Sequence, residues 1–102
     1  MHMEDTVREV VDGSASLTLV TLNADGTPHP IVAGSGKTAH GDRIVFGIYK
    51  MENTRKNLAV NPRAWVVAAT TDGKPKGYRL IGTAVPEGKK LIFNVDVVER
   101  LI

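Results

Sequence analysis

Thr54, Arg55 and Lys56 follow one another at the start of a short helical stretch, with Asn53 just before them and Lys50 upstream. A hydroxyl, a guanidinium and an ammonium beside the free backbone N–H groups of a helix start can hold an anion such as a phosphate. A bare helix start favours Asp or Glu, because the macrodipole is positive there, yet two cations fall in this first turn. A bound anion would turn that mismatch into a site. The same residues also fit a solvated basic helix whose side chains fan into water. Asn53 or Thr54 can cap the helix through its side-chain oxygen. The stretch has no glycine-rich cradle of the P-loop kind.

Other chemistry-bearing residues are isolated. His29 and His40 lie near turns with no second ligand at a metal spacing, and read as ordinary surface histidines. Asp25, Asp42 and Asp72 each adjoin a glycine, a pattern of turn geometry rather than acid–base work. Ser14, Ser16 and Ser35 lack a nucleophile-elbow context. No GxGxxG nicotinamide fingerprint follows a strand. Trp65 sits in an apolar run and is expected in the core. Tyr49 ends a strand beside the anion-site residues, as a stacking surface for a planar ligand or as a simple strand-end aromatic. Any redox chemistry must therefore be brought by a bound cofactor.

The elements that position these residues begin with Ile44 to Tyr49, a β-branched and aromatic run that reads as a buried strand. A helix of about two turns follows, since Leu58 and Val60 offer only a small apolar face. Asn61-Pro62 ends it, and Ala64 to Ala69 forms the next buried strand. Upstream, Glu4 to Val11 is an amphipathic helix with Val7, Val10 and Val11 on one face, capped by Asp5 or Thr6 and stopped by Gly13. Ser16 to Leu22 is a strand, and Asn23-Ala24-Asp25-Gly26 a hairpin turn.

Thr27 to Lys37 reads as one further strand. Pro28 and Pro30 remove two backbone donors and place that end at a sheet edge or rim. Ala33, Gly34, Ser35 and Gly36 present almost no side chain, which marks either close approach of a ligand or a bulge or tight barrel bend. Thr38 to Arg43 is a turn and Thr70 to Gly77 a polar loop. Tyr78 to Val85 is a strand bent at Gly82, and Pro86-Glu87-Gly88 a tight turn. From Lys89 onward, Leu91, Phe93, Val95 and Val97 alternate with Ile92, Asn94, Asp96 and Val98. This predicts a mainly β fold of six strands, antiparallel because the connections are too short for parallel crossovers. Strands apolar on both faces call for barrel closure or a partner surface.

Composition bounds the rest. A chain of 102 residues, 42% hydrophobic, makes one domain with a modest core, which a cofactor or second subunit would help to stabilise. With no cysteine, neither disulfides nor thiolate metal sites hold it together, which fits a reducing cytoplasm. A net charge of +2 is too slight to argue for nucleic acid, and no apolar run is long enough to span a membrane.

In order along the chain, the N-terminal helix, the hairpin around NADGTPHPIV, the strand IVFGIY, the segment MENTRKNLAVNPRAWVV and the strand GYRLIGTAVPEG resemble the pyridoxamine 5'-phosphate oxidase-like flavin-binding split barrels. The likeness is to their small FMN-binding members and covers nearly the whole chain. It implies a six-stranded antiparallel split β-barrel that binds FMN, with Thr54, Arg55 and Lys56 on the phosphate and Asn53 where some members carry a lysine. It implies Ile31, Val32, Ala33, Gly34, Ser35 and Gly36 along the flavin and ribityl chain, and Gly47, Ile48 and Tyr49 near the isoalloxazine. It also implies a homodimer with the flavin between subunits. The strand PIVAGSGK lacks the basic residues of true pyridoxamine phosphate oxidases, no substrate-binding tail is read up to Ile102, and no helix is expected before the last strand. The expectation is a small FMN oxidoreductase or electron carrier without vitamin B6 oxidase activity. The alternative is a flavin-free binding or structural module on the same fold.

Overall fold

The computed structural model of the chain describes residues 3–47, 51–71 and 73–102. Helix α1 (Asp5–Gly13) leads into strands β1 (Thr18–Leu22), β2 (Pro28–Val32), β3 (Gly36–Ala39) and β4 (Arg43–Gly47). Helix α2 (Glu52–Val60) and strands β5 (Arg63–Thr70), β6 (Lys76–Glu87) and β7 (Lys90–Arg100) complete the order. All seven strands join one antiparallel sheet in the order β2-β1-β5-β6-β7-β4-β3. The sheet curls around a single core filled by Leu19, Ile44, Phe46, Val66, Leu80, Leu91 and Phe93. It is a split barrel, with β2 and β3 as its two edges.

The seventh strand corrects the expectation of six. The stretch expected as one strand breaks at Gly34, whose φ of +73° is left-handed backbone that glycine adopts without strain. On either side of the break, Ala33 N–H donates to the Leu17 carbonyl and Leu17 N–H to the Gly34 carbonyl, each at 2.8 Å. The chain then turns across the barrel and pairs with β4 instead. At Gly36, an added Cβ would lie 2.8 Å from Ile44 Cγ2 and 2.9 Å from Phe46 Cε1. That glycine is small because the core closes over it. Pro28 and Pro30 do lie on an edge strand, where missing donors cost nothing.

A second irregularity reverses a face. Val95 pairs with Gly82 and Val97 with Ile81, so Asp96 is bulged out of the β6–β7 ladder. Beyond the bulge the alternation changes phase: Val97 turns outward and is 47% exposed, while Val98 packs against the core. Simple period-two reading had these two valines the other way round. Gly82 marks the bend, as its place within a strand predicted.

The helices seat on the inner side. Val7, Val10 and Val11 of α1 and Leu58 of α2 all join the core. Neither helix has a side-chain N-cap: Glu4 and Met51 stand at the cap positions rather than Asp5, Thr6, Asn53 or Thr54. Gly13 stays helical, and Ser14 ends α1 through a bond from its hydroxyl to the Val10 carbonyl at 2.6 Å. Arg8 ties α1 to the β3–β4 turn, donating to the Ala39 carbonyl at 3.1 Å and the Asp42 carboxylate at 3.0 Å. In the β1–β2 turn, Asp25 accepts from the Thr27 hydroxyl and amide, which holds its carboxyl below its ordinary pKa.

Helix α2 is fixed to β1 by a polar clasp. Asn57 donates to the hydroxyl of Thr21 and to the Asn23 side chain, both at 3.1 Å. Thr21 is fully buried, so losing its partner leaves a buried hydroxyl short of a bond. Asn57→Ala should lower unfolding stability by about 1–3 kcal/mol in a denaturant titration. A loss below the reproducibility of the measurement would show that α2 is held by Leu58 alone.

Candidate functional site

Strand β2 and the N-terminus of α2 face each other across a cleft of about 420 Å³. From β2 and its continuation come His29, Ile31, Val32 and Ala33; Gly47 ends β4; Met51, Glu52, Asn53 and Thr54 come from the start of α2. One wall carries the apolar residues Ile31, Val32 and Ala33 beside His29. The other is a helix start with unpaired backbone donors. Period two along an edge strand puts His29, Ile31 and Ala33 on one face, and burial follows it, since His29 and Ile31 are half-buried and Ala33 is buried.

Thr54 is the residue of greatest chemical interest. It is only 2% exposed, yet it lines the cleft. Among the described residues its hydroxyl makes no side-chain hydrogen bond, and no fully enclosed side-chain oxygen or nitrogen lacks a partner. The hydroxyl must therefore be the part of Thr54 that still meets the cleft. It is a free donor and acceptor at the foot of a helix start, where an anionic or polar ligand group would find it.

The expected site residues divide. Ile31, Val32, Ala33, Gly47, Asn53 and Thr54 are brought together around the cleft. Gly34, Ser35 and Gly36 lie outside its lining, the first as the strand break and the last inside the core. Arg55 turns away and donates to the Gly88 carbonyl at 3.0 Å. Lys56 is exposed and does not line the cleft. Ile48, Tyr49 and Lys50 lie outside the described residues. Sequence reasoning missed His29, Met51 and Glu52. The period-two pattern of β2 could have found His29. Glu52 could have been found by counting one residue back along the helix, because its acidic charge is the one the dipole favours. Trp65, expected in the core, is half-buried on the outer face of β5, with the Arg63 guanidinium 6.0 Å from its ring centre.

The family model for pyridoxamine 5'-phosphate oxidase matches residues 3–93. The chain belongs to that family. No curated protein sequence matches it significantly. Among solved structures, HupZ of Group A Streptococcus superposes with a TM-score of 0.80 at 17% identity, covering 97% of this chain and 94% of that one. An FMN-binding protein from Syntrophomonas wolfei gives 0.75 at 16% identity, covering 93% and 83%. A heme binding protein from Mycobacterium smegmatis gives 0.70 at 19% identity, covering 99% of this chain and 55% of that one. At these identities the likeness is one of fold, and the family's barrel is the frame around the cleft.

The residues present fit a flavin phosphate in part. The free Thr54 hydroxyl and the α2 amides suit its oxygens, and the apolar β2 wall suits a ring or ribityl chain. The Arg55 fork is already engaged at Gly88. No group of three or more potential metal ligands occurs among the described residues. No described helix is long and apolar enough to cross a membrane.

Proposed function

We propose that this protein is an FMN-binding flavoprotein, acting in the cytoplasm as a small oxidoreductase or electron carrier rather than as a pyridoxamine phosphate oxidase. The observation that carries the reading is the Thr54 hydroxyl, buried with its residue yet open to the cleft at the α2 N-terminus. Bound FMN would supply hydride or single-electron transfer at its ring. The chain's own part is to bind and orient. Thr54 and the first α2 amides hold the phosphate; Ile31 and Ala33, on one face of β2 and its continuation, exclude water from one side of the flavin. Lack of cysteine and the slight net charge agree with a reducing compartment and a small-molecule ligand.

A flavin-free binding module is the second reading. It is favoured by Arg55, whose guanidinium is bonded to Gly88 instead of aimed into the cleft. Titration of FMN into the purified protein, followed by flavin fluorescence, separates the two. Saturable quenching supports FMN, and its absence across the accessible concentrations retires the flavin reading. Thr54→Val keeps the shape and removes the hydroxyl. It should weaken FMN about tenfold, the worth of one charge-assisted hydrogen bond. Riboflavin, which has no phosphate, should lose much less. Equal losses would place Thr54 in the fold and not in phosphate recognition.

A homodimer is part of the same proposal. Neither helix covers the outer face of the sheet, and across it runs an unbroken apolar row. A second copy is the simplest cover for such a row.

A further inference from the structure

Glu52 is the first residue of α2, is exposed, and lines the cleft beside Asn53 and Thr54. Among the described lining residues it is the one with a full formal charge at neutral pH, and that charge is negative. Its carboxylate receives no hydrogen bond from any described residue. Among the described residues no cation forms a salt bridge with it. It stands where the helix dipole attracts an anion, in the cleft that the Thr54 hydroxyl also meets. Among the described residues, the neighbouring cations Arg55 and Lys56 do not line the cleft.

We infer that Glu52 is a specificity-determining residue: its carboxylate competes with a ligand phosphate for the α2 N-terminus and narrows the preference for phosphorylated over unphosphorylated flavin. The inference rests on the flavin reading of the cleft. A phosphate monoester carries nearly two negative charges at neutral pH, so it meets repulsion that a neutral ribityl end does not. The helix start still donates its amides, and Thr54 its hydroxyl, to the phosphate. Glu52 thus sets how much of the phosphate's charge is rewarded, and the site becomes tolerant of flavins that carry less charge at that end.

The test is a pair of titrations, FMN and riboflavin, into the full-length protein and into Glu52→Gln and Glu52→Lys, with thermal melts confirming that each variant is folded. Glu52→Gln should tighten FMN by about three- to tenfold, the range for one partly screened charge pair near a surface. Glu52→Lys should tighten it further. Riboflavin affinity should stay within about twofold in both, since it carries no charge for Glu52 to repel. If FMN and riboflavin shift together, or if FMN does not shift, Glu52 has no selective role, while measurable binding by the unmodified protein leaves the flavin reading intact. If no flavin binds any of the three proteins, both readings fall together.

Discussion

Replacing Gly82 with alanine should cost the fold more than any other single methyl group added to this chain. A Cβ at Gly82 would fall on the backbone carbonyl oxygen of Asn94 and within 3.3 Å of the Asp96 amide nitrogen. These are backbone atoms of the bulge, so no side chain can rotate to make room. Strand β6 cannot move aside either, because it is paired along its length with β5 on one side and β7 on the other. Relief requires undoing the bulge, and that would return Val97 and Val98 to the wrong faces. Overpacking of a well-packed interior costs typically 1–3 kcal/mol, and a backbone collision belongs at or above the top of that range. A loss of about 3 kcal/mol is a large share of the stability of a domain this size and should lower Tm by roughly 12 °C or more. Gly13→Ala is the control. It lies in α1 with nothing within 4 Å of an added Cβ and no left-handed φ, so it should be neutral or slightly stabilising. Similar melting temperatures for both variants would show that the β6–β7 bulge is not fixed by Gly82.

Ile81→Glu should convert a dimer into a folded monomer. Val20 lies opposite Trp65, Trp65 opposite Ile81, and Ile81 opposite Val97, so four neighbouring strands contribute one apolar residue each to a single row. A second row runs through Val85, Ile92 and Val45. Val85 and Val97 are 49% and 47% exposed. Contiguous apolar surface of this kind on a small domain marks an interaction face, and a two-fold pairing needs only that one patch. The paired Arg79 and Glu99, 2.7 Å apart beside the first row, form a polar margin of the sort seen around interface cores. Size exclusion with light scattering should give twice the 11.0 kDa chain mass for the unmodified protein. Ile81→Glu buries a charge at the centre of the face if the dimer forms, so it should raise the dissociation constant by more than about a hundredfold, as for an unpaired buried charge of 3 kcal/mol or more. A monomer mass for the unmodified protein at tens of micromolar would overturn the dimer. Val98 would be the wrong probe, because its side chain packs against the core and a glutamate there would unfold the chain.

How far these residues were readable depended on the range of the forces involved. The strands around Ile44 and Ala64, the hairpin at Asn23–Gly26 and the helix ending at Asn61-Pro62 follow from local steric and patterning rules, and each is where the residues put it. That Thr54 stands in the first turn of α2 was legible for the same reason: a helix start is defined by its immediate neighbours. The direction of the Arg55 side chain was not, because a long side chain chooses among partners that only the fold brings near, and here the Gly88 carbonyl lies within reach.

The sequence by itself determined a mainly β, antiparallel fold and the helix start near Thr54, since short connections, turn glycines and alternating apolar residues act over a few residues at a time; the order of its segments carried the likeness to the family. Only the tertiary structure decided the split of β2 from β3 at Gly34, the reversal of Val97 and Val98, and the place of Trp65 on the outer face. Each of these depends on what lies across the sheet: the Leu17 backbone beside Gly34, the Asn94 carbonyl beneath Gly82, and the Val20 and Ile81 side chains flanking Trp65. A one-residue bulge reverses every side chain beyond it, because strand periodicity is two, and nothing local in Val95-Asp96-Val97 marks where the extra residue falls.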